Sequence, residues 1–211
     1  MQFIDVIRKA IRRIMGSFAR FLNRITGGRL HPDTVTYIGV IMHIPIAVLI
    51  AIPGWDILAG VLLLVFGLFD TLDGELARLQ KRSSSAGMLL DASTDRMKEA
   101  MLYTGIAYAF ATGAHPATAA WAAAAVGASI CVSYVKAKGE AAVASGTVKI
   151  PHDTLNRMFK DGLLTFELRM FLLLTGLLTG WLVYFVAAIA VLASYTALQR
   201  LVRIGKVLSN V

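Results

Sequence analysis

Four aspartates within 26 residues give this chain its most telling chemistry. Asp70 and Asp73 stand three residues apart, Asp91 and Asp95 four apart, and each spacing puts a pair on one face of a helix. The residues Gln80 to Gly87 join the two helical patterns. The helices should therefore be antiparallel neighbours with their carboxylates facing at similar depth. Carboxylates gathered near lipid repel one another and stay ionised only where cations compensate. A divalent metal meets that need, and an oxygen-only ligand set points to Mg²⁺, Mn²⁺ or Ca²⁺ rather than zinc.

The neighbours suit a phosphate-bearing substrate. Gly74 and Ala77 remove bulk from the aspartate face, Arg78 adds a cation, and Lys81-Arg82-Ser83-Ser84-Ser85-Ala86-Gly87 offers cations and hydroxyls. Gly87 permits close approach just before the second helix.

The elements that position these residues belong to a membrane. Of 211 residues, 57% are hydrophobic and 16% charged, with a mean hydropathy of +0.67; soluble domains carry about 25% charged residues. A soluble globular domain and a disordered chain are excluded, and a single cysteine, Cys131, excludes a disulfide scaffold. In Met1 to Arg29, apolar residues from Phe3 to Ile25 recur at helical spacing, with Arg8, Lys9, Arg12, Arg13, Arg20 and Arg24 on the other face. The segment lacks the unbroken apolar core of a signal peptide and reads as an amphipathic helix, residues 1–30, lying in the membrane interface.

Six apolar segments follow: Thr34 to Ile52; Ile57 to Phe69, continuing as a polar helix to Leu79; Met88 to Thr112; Ala117 to Lys138; Asp161 to Leu178; and Trp181 to Arg203. Each has about the length a bilayer demands of a helix. The expected fold is an all-α integral membrane protein, an interfacial helix before a six-helix transmembrane catalytic domain over residues 31–211. All 21 Lys and Arg fall in Met1 to Arg29, Arg78 to Lys98, Lys136 to Arg169 and Arg200 to Lys206, and none in the short links after the first, third and fifth segments. That asymmetry predicts both termini on the inner side. It also explains the +8 net charge without a nucleic-acid partner. His43 and Pro45 read as a packed histidine and a kink, Trp55 and Trp181 as interfacial anchors, and Cys131 as small filler.

The run Asp70-Thr71-Leu72-Asp73-Gly74-Glu75-Leu76-Ala77-Arg78, then eight residues, Gly87, three residues, Asp91, three residues and Asp95 resembles the signature of the CDP-alcohol phosphotransferases, every fixed position being present. The resemblance implies an enzyme in which an alcohol displaces CMP from a CDP-linked lipid to form a phosphodiester. On that resemblance Asp70, Asp73 and Asp91 match metal ligands, and Asp95 matches both a second-metal ligand and the general base. Two ions, Mg²⁺ or Mn²⁺, are implied. Gly74, Arg78 and Ser84 match nucleotide-contacting positions, with Ala77 and Gly87 completing the motif. Asp33-Thr34-Val35-Thr36 aligns with a further nucleotide-contacting segment.

Ser133 to Lys138 is similar to a segment of the prokaryotic phosphatidylinositol-phosphate synthases, in which a lysine matching Lys136 holds the acceptor phosphate. Arg157 or Lys160, and Arg200 or Arg203, are the counterparts of the arginines that complete that pocket, although Leu155 to Lys160 departs from the family's pattern. The expected acceptor is inositol phosphate, with glycerol 3-phosphate as the alternative. The resemblance also implies a homodimer, and the charge asymmetry places the site on the cytoplasmic face of the plasma membrane. Two rival classes fit less well. Aspartate-rich membrane prenyltransferases carry two distant acidic motifs on longer chains, and a cation transporter needs acids near mid-span rather than at inner helix ends.

Overall fold

A computed structural model describes residues 2–144 and 164–209, with no strand among them. The chain divides into two compact units, Met1–Leu102 and Tyr103–Val211. The first holds α1 (Gln2–Ile25), α2 (Pro32–Ala51), α3 (Asp56–Gly67), α4 (Phe69–Leu79) and the greater part of α5 (Ser85–Thr112). Helix α1 packs on α4, and α2 packs on α3 and α4. Their shared core joins Ala19, Val35, Leu72 and Leu76, with Met15, Leu22, Leu30 and Phe69 against it. Away from that core α1 keeps a stripe of exposed apolar residues, Ile14, Phe18, Phe21 and Ile25.

The ends of these helices follow from local chemistry. Gly27 and Gly28 both adopt left-handed backbone, φ 58° and 75°, which turns the chain out of α1. Pro32 opens α2, and His31 Nδ1 accepts the Asp33 N–H at 3.3 Å. Helices α3 and α4 form a nearly continuous rod interrupted at Leu68, whose N–H reaches back to Val65 O at 3.3 Å. At the end of α4, Lys81 takes left-handed backbone (φ 56°) and the Arg82 N–H bonds Ala77 O at 2.9 Å, reversing the chain toward α5. Gln80 Nε2 donates to Asn23 Oδ1 and Leu30 O, both at 2.9 Å, tying this turn to the α1–α2 link. Ser84 Oγ accepts the Gly87 N–H at 3.0 Å, so α5 starts at Ser85, one turn before the apolar pattern that begins at Met88.

The second unit contains the end of α5, a 3₁₀ turn (Pro116–Thr118), α6 (Ala119–Ala144), α7 (Phe166–Thr179) and α8 (Leu182–Ser209). Helix α8 packs against both α6 and α7. Buried Ala122, Ala125 and Ser129 on α6, and Ala190, Ala193 and Ala197 on α8, allow the close approach usual between membrane helices. Helices α6 and α8 outrun their expected ends at Lys138 and Arg203, continuing to Ala144 and Ser209 in spite of Gly139 and Gly205. Thr165 caps α7 by accepting the Leu168 N–H at 3.4 Å; the expected start of that helix, Asp161, lies outside the described residues.

Among the described residues four helical segments are long and apolar enough to cross a membrane: Pro32–Ala51, Asp56–Leu79, Pro116–Val143 and Leu182–Lys206. Helix α5 has the length, 28 residues, but Asp91, Asp95, Arg96, Lys98 and Glu99 crowd its middle and N-terminal part, and α7 has 14 residues.

The α7–α8 turn carries a packing prediction. A Cβ on Gly176 would meet Leu182 Cα at 3.1 Å and Phe185 Cβ at 3.2 Å, whereas one on Gly127 would meet nothing within 4 Å. Gly176→Leu is expected to cost about 1–3 kcal/mol by overpacking, and Gly127→Leu close to nothing. Thermal unfolding of the two variants in detergent checks the contrast.

Candidate active site

Helix α4 carries Asp70, Asp73, Gly74, Ala77 and Arg78, and α5 carries Gly87, Asp91 and Asp95. The antiparallel return through Gln80–Gly87 brings three of the four aspartates together. Asp70, Asp91 and Asp95 each offer a carboxylate oxygen, and the three oxygens lie within 4.8 Å of one another. This donor set fits a hard divalent cation on two counts. It is all oxygen, and Asp95 Oδ1 is buried yet accepts no hydrogen bond.

Asp73, the fourth, is buried at 7% exposure and turned toward α2, where it accepts the Thr36 hydroxyl. Thr36, expected as a nucleotide contact, is thus first of all the hydrogen-bond donor that steadies a motif aspartate. Val35 beside it is in the apolar core, Thr34 is exposed, and Asp33 lies 3.4 Å from His31 Nδ1. Arg78 lies across Gly74: a Cβ there would stand 3.6 Å from its guanidinium, in ordinary contact. Glu75 holds the same guanidinium at 2.6 Å and Arg12 of α1 at 3.9 Å. Ala77 is half-buried, while Ser84 is exposed and occupied with the Gly87 N–H.

One cation at the cluster is absent from the signature. Lys98, one turn beyond Asp95 on α5, is buried with its ammonium paired to Asp70 and 3.7 Å from Asp95 Oδ1. The same helix holds a second internal pair, Arg96 with fully buried Glu99 at 2.8 Å. The signal for Lys98 was in the sequence: a lysine three residues after Asp95 shares its helical face. It was masked by the topological reading, which counts every lysine on the inner side as an anchor.

In the second unit, Arg200 is buried and its NH1 donates to Val132 O at 3.2 Å. Val132 is one turn from Lys136 on the same face of α6, so Arg200 and Lys136 occupy the same stretch of the α6–α8 pair. Lys136 is half exposed, 3.8 Å from Glu140, and Arg203 is exposed. Arg157 and Lys160 lie outside the described residues. Arg169, not singled out in the sequence, is buried on α7 with its guanidinium 5.8 Å from the Phe166 ring centre.

With this geometry in hand, comparison with known proteins is decisive. The family model described as CDP-alcohol phosphatidyltransferase matches residues 29–194. The chain belongs to that family. It is therefore an integral membrane enzyme that transfers a substituted phosphate group. A phosphatidylinositol phosphate synthase of Corynebacterium glutamicum is 31% identical over 207 residues, 94% of this chain and 87% of that one. The phosphatidylinositol phosphate synthase of Mycobacterium tuberculosis, solved with CDP-DAG bound, superposes with a TM-score of 0.75 at 26% identity, covering 91% of this chain and 94% of that one. The same protein solved with manganese and citrate gives a TM-score of 0.75 at 25% identity, covering 90% and 88%. Use of a divalent metal by this family member agrees with its oxygen-only cluster.

The Thr36–Asp73 bond supplies a test of the site's construction. Thr36→Val keeps the shape but removes the side-chain donor of a buried carboxylate, so it should lower stability by about 1–3 kcal/mol, read as a drop in thermal midpoint without bound metal.

Proposed function

We propose that this enzyme transfers the phosphatidyl group of a CDP-linked lipid to inositol phosphate, releasing CMP. The observation that carries the reading is its likeness, over nearly the whole chain, to phosphatidylinositol phosphate synthases, one of them solved with CDP-DAG bound. Asp70, Asp73, Asp91 and Asp95 would hold two Mg²⁺ or Mn²⁺ ions, whose chemistry is to neutralise the pyrophosphate and stabilise CMP as it leaves. Arg78, lying across Gly74, adds a fixed charge for the nucleotide phosphates, joined by Ser84 and the segment Asp33–Thr36. Ala77 and Gly87 keep the backbone free of bulk there.

Asp95 is the general base. It takes the proton of the acceptor hydroxyl as that oxygen bonds to the lipid-side phosphorus. The bond from that phosphorus to the bridging oxygen breaks, and its electron pair leaves with CMP. Lys136 holds the acceptor's phosphate together with Arg200 or Arg203 and Arg157 or Lys160, since a dianion needs several converging donors. The neighbouring placement of Lys136 and Arg200 on the α6–α8 pair supports this assignment.

Six spans complete the membrane domain over residues 31–211, α5 and α7 joining the four apolar segments, with both termini inside and the site at the cytoplasmic face of the plasma membrane. Confinement of all 21 cations to one side supports that topology. Residues 1–30 lie in the interface, and the exposed stripe Ile14, Phe18, Phe21 and Ile25 supplies the face that lipid would cover.

Purified enzyme given CDP-diacylglycerol, Mg²⁺ or Mn²⁺, and in separate reactions inositol phosphate, inositol, glycerol 3-phosphate or serine is expected to release CMP fastest with inositol phosphate. Release with glycerol 3-phosphate alone would overturn the acceptor and keep the chemistry. Asp95→Asn should lower turnover by about 10²–10⁴-fold while Mn²⁺ still binds through the remaining aspartates. Lys136→Ala should raise KM for inositol phosphate by roughly 10–100-fold and leave the apparent affinity for CDP-diacylglycerol unchanged; equal loss with neutral inositol would remove Lys136 from the pocket.

A further inference from the structure

The metal cluster contains a cation of the protein's own. The Lys98 side chain is 2% exposed, and its ammonium pairs with Asp70 and stands 3.7 Å from Asp95 Oδ1. Both carboxylates belong to the trio whose oxygens lie within 4.8 Å of one another. The lysine stem is housed rather than mobile. Gly39 of α2 lies beside it, a Cβ there falling in ordinary contact with Lys98 Cε at 3.9 Å and Phe69 Cβ at 3.5 Å. The Gly39 carbonyl in turn accepts the His43 Nδ1–H at 2.7 Å, which fixes the wall behind the stem. Three helices thus meet on one ammonium: α2 around its stem, α4 through Asp70, and α5 as its carrier.

We infer that Lys98 is a positioning residue and resident counter-ion of the metal centre. It holds Asp70 and Asp95 in place before metal arrives and weakens divalent-ion binding by sharing their charge. The inference rests on the reading of Asp70, Asp91 and Asp95 as metal ligands. A buried ammonium beside a dication repels it, while a carboxylate cluster without any cation repels itself. The centre therefore stays assembled when empty, and its metal is exchangeable rather than structural. The 3.7 Å gap to Asp95 Oδ1, too long for a hydrogen bond, leaves that oxygen free to ligate.

The test is Mn²⁺ binding to the full-length protein in detergent, followed by electron paramagnetic resonance and by thermal unfolding with and without EDTA. Lys98→Met should bind Mn²⁺ roughly 10–100-fold more tightly than wild type. Its thermal midpoint in EDTA should fall below the wild-type value and recover with saturating Mn²⁺. Unchanged or weaker Mn²⁺ binding in the variant, with wild-type binding intact, overturns the inference alone. Absence of Mn²⁺ binding in wild type overturns the metal-centre reading and the inference with it. Should Lys98→Met not fold, wild type that binds Mn²⁺ by electron paramagnetic resonance decides: a cooperative unfolding transition retained in EDTA supports a resident counter-ion, and loss of the folded state in EDTA overturns it.

Discussion

Carboxylates at the edge of a lipid environment keep their charge only beside cations, and the first unit is built around that constraint. Asp70, Asp91 and Asp95 converge where α4 and α5 reverse, and Lys98 is buried among them. Burying an ammonium or a carboxylate alone costs several kcal/mol even after relaxation, so neither partner is stable there without the other. The same constraint explains why α5 is not apolar enough over its first half to read as a membrane span. Asp91 is exposed, but Lys98 and Glu99 are buried, each within reach of an opposite charge.

Much of the rest of the unit serves to keep this meeting point in register. Gln80 binds the α4–α5 turn back to the α1–α2 link, Ser84 starts α5 where its aspartates face α4, and Thr36 fixes Asp73 from α2. Helix α1 adds its core contact through Ala19 while leaving Phe18 and Phe21 outward. One helix thereby supports α4 with one face and presents an apolar stripe with another. The second unit works differently: buried alanines on α6 and α8 and Gly176 on α7 allow close approach, and its buried guanidiniums sit against main-chain carbonyls.

The aspartate constellation was legible in the sequence because helical spacing and a short link leave little freedom. Two pairs at i, i+3 and i, i+4 across an eight-residue connection can hardly avoid one another. The apolar segments were legible for the same reason of length. What the sequence hid depended on rotamers and on neighbours distant in the chain. Nothing in the spacing says that Asp73 turns to Thr36, 37 residues away, while the other three aspartates group. Nothing in hydropathy marks Ser84 as a cap, so α5 begins earlier than its apolar pattern. Lys98 was visible but indistinct, since a lysine that anchors a helix at the inner face and one that neutralises a buried carboxylate look alike until burial is known.

Burial also sorts the ion pairs by what they can do. Arg78 with Glu75 and Lys136 with Glu140 are partly exposed, and such pairs are worth about 0–1 kcal/mol. A substrate phosphate carries more charge than a single carboxylate and can take either cation at little cost. Lys98 with Asp70 is different, because separating a buried pair strands a charge in a medium that cannot solvate it. The two cations proposed to meet substrate are therefore held loosely, and the cation within the cluster is held firmly. An enzyme that binds and releases phosphates at a membrane face needs both kinds, and its sequence assigns them by how deep each side chain lies.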